Sequence, residues 1–185
     1  ASAAAELCGE RPDPQWSAVA AGLRIPHFAD GTTREHAGYD GEMIKQADAN
    51  LLGYPLGIVT GREAQLRDLE YYERRIDPRN GPAMSYSVFA IQYARLGMAE
   101  KACEMFRRSY LPNLRPPFGV FAETATSGNP YFMTGAGGML QAVLFGFGGL
   151  EITADGLVQR PSVLPPQWKN LRIKINGKIY QATNQ

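Results

Sequence analysis

Glu123 is the single charged residue between Pro116 and Leu150, in a stretch that reads PPFGVFAETATSGNPYFMTGAGGMLQAVLFGFGGL. A carboxylate set among apolar groups is desolvated, and desolvation is one of the means by which proteins tune a carboxyl group for proton transfer. Thr124, Thr126, Ser127 and Asn129 add short polar groups beside it, and Phe118, Phe121, Tyr131 and Phe132 add aromatic faces. A sugar has apolar faces and polar edges, so this mixture suits a carbohydrate pocket. The same residues also suit an ordinary loop, with Glu123 at the surface or capping a turn.

A second candidate is Lys45-Gln46-Ala47-Asp48. Lys and Gln side by side offer several hydrogen-bond donors to the hydroxyls of one sugar ring. A solvated helix start is the other reading of this pair. In GPAMSYS at 81–87, Ser85 and Ser87 either contact a ligand or cap the helix that follows. GAGG at 135–138 lacks the strand–GxGxxG–helix context of a phosphate-cradling loop and reads as close helix packing.

The elements that must hold these residues are mostly helical. Short helices are expected at 3–8 and 14–23, the second with Asp13 as N-cap and Pro14 in its first turn. Residues 25–28 are extended, 31–42 a polar loop, and 44–53 a short helix opened by Lys45 and Gln46. Leu66, Leu69, Tyr72 and Ile76 recur at three- and four-residue steps, which predicts a helix over 63–76. A buried helix over 86–96, an amphipathic one over 99–110 and a very apolar one over 135–146 follow. Beyond Gly148-Gly149 the texture turns to strands, with Asn176-Gly177 as a two-residue hairpin turn. The fold class is therefore mostly α with a short C-terminal β region. Successive helices joined by long Gly-rich connections suggest a helical toroid with its loops gathered at one rim.

Composition excludes several function classes. Nineteen basic and 18 acidic residues are well mixed, with no basic stripe for nucleic acid or an anionic membrane. No stretch has the apolar length of a membrane span; the best, from Tyr131 to Leu150, is broken by glycines. Cys8 and Cys103 make neither a disulfide framework nor a metal spacing, and His27 and His36 lie in no zinc motif. The start, ASAAAELCGE, has no signal-peptide pattern and no initiator Met.

Three runs, IKQADANLLGYPL, GPAMSYSVFAIQYARLGMAEKACEMF and FGVFAETATSGNPYFMTGAGGMLQAVLFGFGGLEIT, together resemble glycoside hydrolase family 65 in order and spacing over roughly residues 25–175. The resemblance implies the last part of an (α/α)6 barrel at residues 1–150 and strands of a C-terminal β-sandwich domain at 151–185. It implies that Lys45 and Gln46 hold glucose in subsite −1 and that Glu123 is the general base of an inverting α-glucoside hydrolase. The phosphorylases of the family carry Ser and His groups for phosphate in that loop; Glu and NPYF stand here without a His, which leans toward hydrolysis. Phosphate-dependent disaccharide cleavage and a non-catalytic sugar-binding or structural fragment are the alternatives. The family's general acid belongs to an earlier barrel segment that nothing here matches; Asp40 and Asp48 flank the Lys-Gln pair but are poor substitutes. The expectation is a C-terminal fragment whose partners are a glucoside and the N-terminal remainder of the same enzyme, with no nucleic acid or membrane partner. No cofactor or metal is implied, because the scheme uses two carboxyls and a water. A periplasmic or secreted location is common among such hydrolases.

Overall fold

A computed structural model describes residues 1–184. Two peripheral helices come first, α1 (Ser2–Leu7) and α2 (Pro14–Gly22). Asp13 caps α2 by accepting from Gln15 N at 2.9 Å, and Pro14 occupies the first turn, as its fixed φ favours. Neither helix buries a residue.

The core is organised around α4 (Ala83–Arg95), which follows α3 (Arg62–Glu73) and precedes α5 (Ala99–Arg108). Ten of the 13 residues of α4 are buried, because α5, α6 (Met133–Gln141) and the π-helical turn Ala142–Phe147 all pack against it. Phe89, Tyr72, Leu69, Met105 and Phe147 are fully enclosed in this cluster. Glycines permit the closest approaches. A Cβ on Gly135 would stand 2.7 Å from Phe121 Cε1, and one on Gly146 3.1 Å from the Ile91 Cα. The close-packing role expected of the GAGG run therefore holds. Glu73 ties three helices together: it accepts from Lys101 Nζ and from the Tyr93 hydroxyl, each at 2.7 Å.

Three expectations need correction. Residues 44–53 are not one helix. Ile44 is extended: its N–H donates to Arg75 O at 2.8 Å and its carbonyl accepts from Asp77 N at 3.2 Å. Bridging to the end of α3 consumes the backbone groups that a helix would use. Only a 3-10 turn, Ala49–Leu52, follows, so Lys45 and Gln46 lie on a loop. Next, α4 starts at Ala83, so Ser85 and Ser87 lie inside the helix and do not cap it. Finally, the apolar run 135–146, expected in the core because it has no polar face, is enclosed only in its second half, where Ala142 and Gly146 are buried in the π-helical turn. Only Gly135 of α6 is buried, and Met133 and Leu140 are exposed, because only one of its faces meets α4.

Ser87 is 1% exposed, and its Oγ has no hydrogen-bond partner among the described residues. A buried hydroxyl without a partner is a desolvation cost with no return. Ser87→Ala is expected to leave urea stability unchanged or raise it by up to about 1 kcal/mol.

Short strands complete the chain. The pair β1 (Leu114–Arg115) and β2 (Val120–Phe121) leads into Glu123. After α6 come β3 (Leu150–Thr153) with β4 (Gly156–Gln159), then β5 (Asn170–Ile175) with β6 (Lys178–Thr183), all antiparallel. Asn176 and Gly177 have φ of 48° and 80°, the left-handed pair that a tight hairpin needs. Ile173 pairs with Tyr180, and both pack on Leu150, while Arg172 and Lys174 face outward as the alternation predicts. Trp168 docks edge-on to Phe106 and Phe147, at 5.9 and 5.4 Å between centroids, and fastens this end to the helical core.

Candidate active site

Residues 78 positions apart meet at the first candidate contact. Lys45 Nζ stands 3.3 Å from Glu123 Oε1. The lysine side chain is 64% exposed and the glutamate 28%. Glu123 is thus not enclosed among apolar groups, as its neighbours in sequence suggested; it is partly exposed beside an ammonium. At that exposure the pair contributes at most about 1 kcal/mol to stability. Its interest lies in placement.

The main chain of Glu123 is held far more firmly than its side chain. Its carbonyl accepts from Ala83 N at the start of α4 (3.2 Å) and from Asn113 Nδ2 (3.0 Å). Asn113 is 3% exposed and also donates from Nδ2 to Ala122 O at 3.0 Å, while its own carbonyl accepts from Ala122 N at 2.8 Å. Arg115 staples the loop that follows, donating from Nη2 to the carbonyls of Thr124 and Ala125 at 2.9 and 2.8 Å. Neither residue stands out in the sequence: each acts on backbone carbonyls, and no spacing rule records that.

On the other side, the Lys45–Asp48 loop is anchored at both ends. Ile44 is fixed by its bridge to Ile76. Ala47 N reaches Ser85 Oγ at 3.4 Å, and Ala49 N donates to Glu35 Oε2 at 3.1 Å. Glu35, Lys45, Gln46 and Asp48 line one pocket of about 400 Å³. Burial pushes the Glu35 carboxyl up to about 7; the Ala49 amide opposes that rise, and the nearby Asp48 carboxylate adds to it. Sequence reasoning passed over Glu35 because it lies in a polar loop, where nothing marks one acid among several as half-buried.

The remaining candidates divide. Thr124 is buried and accepts from Ser127 N at 3.0 Å, so it shapes the loop. Phe121 and Phe132 are half-buried and joined by Phe132 N donating to Phe121 O at 2.8 Å. Phe118 and Tyr131 are 89% and 76% exposed, Tyr131 with a left-handed φ of 60°. Asp40 and Asp48 are both exposed. A second pocket, of about 460 Å³ between Tyr54, Arg95, Gln141 and Glu151, includes none of Lys45, Gln46 or Glu123. Among the described residues no cluster of His, Cys, Asp and Glu could hold a metal, and no helix is long and apolar enough to cross a membrane.

No protein-family model matches the chain. Individual relatives do. A kojibiose hydrolase of Mucilaginibacter mallensis is 49% identical over 173 residues, which covers 94% of this chain and 26% of the relative. A protein-glucosylgalactosylhydroxylysine glucosidase of Danio rerio is 39% identical over 173 residues, covering 91% and 26%. A periplasmic/secreted acid trehalase of Candida glabrata is 36% identical over 161 residues, covering 80% and 13%. Among solved structures, one provisionally named a kojibiose phosphorylase, from the human microbiome, aligns with a TM-score of 0.52 at 22% identity. It covers 75% of this chain and 20% of that one, and shows a shared fold. The class these findings define is that of the glycosidases. The chain belongs to glycoside hydrolase family 65 and corresponds to its C-terminal part, spanning about a quarter of the length of the first relatives.

Proposed function

We propose that this chain supplies the general base and the glucose-binding residues of an inverting α-glucoside hydrolase. Residues 1–150 form the C-terminal portion of an (α/α)6 barrel, and 151–185 contribute strands of a C-terminal β-sandwich domain. The general acid and the aglycone site come from the N-terminal remainder of the same enzyme, the chain's one macromolecular partner; nucleic acid and membrane have no part. The observation that carries the reading is the approach of Lys45 to Glu123 across 78 positions of sequence. It unites two motifs that the sequence analysis singled out separately. The names of the relatives, all of them glycosidases, support the reaction class.

In the proposed mechanism a glucosyl unit sits against the Lys45–Gln46 loop, with the Lys45 ammonium and the Gln46 amide donating to its hydroxyls. Glu123, as carboxylate, takes a proton from a water that attacks the anomeric carbon. The acid protonates the leaving oxygen from the opposite face, and the C–O bond breaks with inversion. Inverting carboxyls stand about 6.5–9.5 Å apart to leave room for that water. The partial exposure of Glu123 gives water access that an enclosed carboxylate would lack. A periplasmic or secreted location is proposed as well, supported by the acid trehalase relative.

The deciding experiment is glucose release by the complete enzyme from kojibiose, nigerose, maltose and trehalose, with and without phosphate. Free glucose at equal rates in both conditions is expected, with the preferred disaccharide naming the linkage. Release only with phosphate, as glucose 1-phosphate, would overturn the hydrolase reading and remove the role of Glu123 as base.

A further inference from the structure

We propose that Glu35 is a positioning residue that sets how the Lys45–Gln46 loop is presented to a bound sugar. The inference rests on the sugar-binding part of the reading above. Three observations carry it. The Glu35 carboxyl accepts from Ala49 N at 3.1 Å, at the point where the loop enters its 3-10 turn. Its other oxygen, Oε1, is buried and has no hydrogen-bond partner among the described residues. The same side chain lines the pocket that Lys45 and Gln46 line.

A carboxyl buried with one oxygen unpaired is tolerated when neutral and becomes costly when ionised. The charged and titratable groups around it do not offset that cost. Asp48 is a like charge on the loop itself; His36, Glu42 and Lys45 line the same pocket; Tyr39 and, from α3, Tyr72 lie within electrostatic range. Burial keeps Glu35 protonated up to about pH 7. In either protonation state Oε2 accepts from Ala49 N, more strongly as the carboxylate, and this bond sets the loop. The Glu35–Ala49 bond therefore acts on glucoside binding through the placement of Lys45 and Gln46 rather than through the proton transfer at Glu123.

The test uses the complete enzyme with Glu35→Gln, which keeps an acceptor for Ala49 N and cannot ionise, and Glu35→Ala, which lacks one. Losing one such hydrogen bond corresponds to a rise of about tenfold in KM for kojibiose, with kcat changed by less than about threefold. Glu35→Ala should show that rise at all pH values. Glu35→Gln, which still accepts from Ala49 N, should leave KM close to the parent value. Amide exchange at Ala49, compared with Glu35→Gln at each pH, should accelerate by about tenfold in Glu35→Ala. If the parent enzyme turns over no α-glucoside, the hydrolase reading fails by itself. Glucose affinity by calorimetry, with the same variants, then takes the place of KM. Wild-type exchange at Ala49 in Glu35→Ala, or altered exchange with unaltered KM or glucose affinity, overturns the proposal.

Discussion

Glu123→Gln in the complete enzyme is expected to lower kcat for α-glucoside hydrolysis by about 10²–10⁴-fold, the usual worth of a general base. The fold should be untouched. The side chain is 28% exposed, and among the described residues its polar contact is the Lys45 ammonium at 3.3 Å. An amide oxygen can still accept there, and the carbonyl bonds to Ala83 and Asn113 belong to the backbone. The measurements are glucose release at saturating kojibiose and the thermal midpoint of the same preparation. Turnover within about threefold of wild type, with an unchanged midpoint, would remove Glu123 from the chemistry, since no general base is worth so little.

Asn113→Ala is expected to damage the site without touching a ligand. Its side-chain amide donates to two carbonyls, those of Ala122 and Glu123, from a position 3% exposed. Removing it strips the Ala122 and Glu123 carbonyls of this buried donor, at a cost of about 1–3 kcal/mol in unfolding free energy. It also leaves the Glu123 main chain fastened on the Ala83 side alone. Displacing a catalytic group by about 1 Å costs on the order of 10²-fold in rate. Chemical denaturation should show the first effect. Steady-state kinetics should show the second as a fall in kcat larger than any rise in KM. A loss of stability with normal kcat would mean that the Ala83 contact and the Arg115 staple suffice.

The split between what could be read early and what could not follows from the range of the interactions. Hydrophobic steps of three and four residues located α3, an all-round apolar run located α4 and a two-sided division of polarity located α5, because a helix face is written in one local stretch. The Asn176-Gly177 turn was equally legible, since left-handed φ is a property of the residues themselves. The helix expected over 44–53 failed for a non-local reason. Ile44 bonds across to Arg75 and Asp77 from the end of α3, and helix propensity in the segment could not compete with that pairing. Glu123 was picked out by the absence of other charges near it in sequence, yet its neighbour in space is a lysine from 78 positions away.

From its residues alone, then, this chain declared its helical character, its β-hairpin end, and three motifs whose order resembles glycoside hydrolase family 65. Each of these is either local or a matter of sequence order. Only the tertiary structure brought Lys45 to Glu123, gave Asn113 and Arg115 their work on backbone carbonyls, and set half-buried Glu35 beside the Lys45–Gln46 loop. Those relations depend on which surfaces exclude water and which backbone groups find partners across the fold, and neither is written in the spacing of the residues involved.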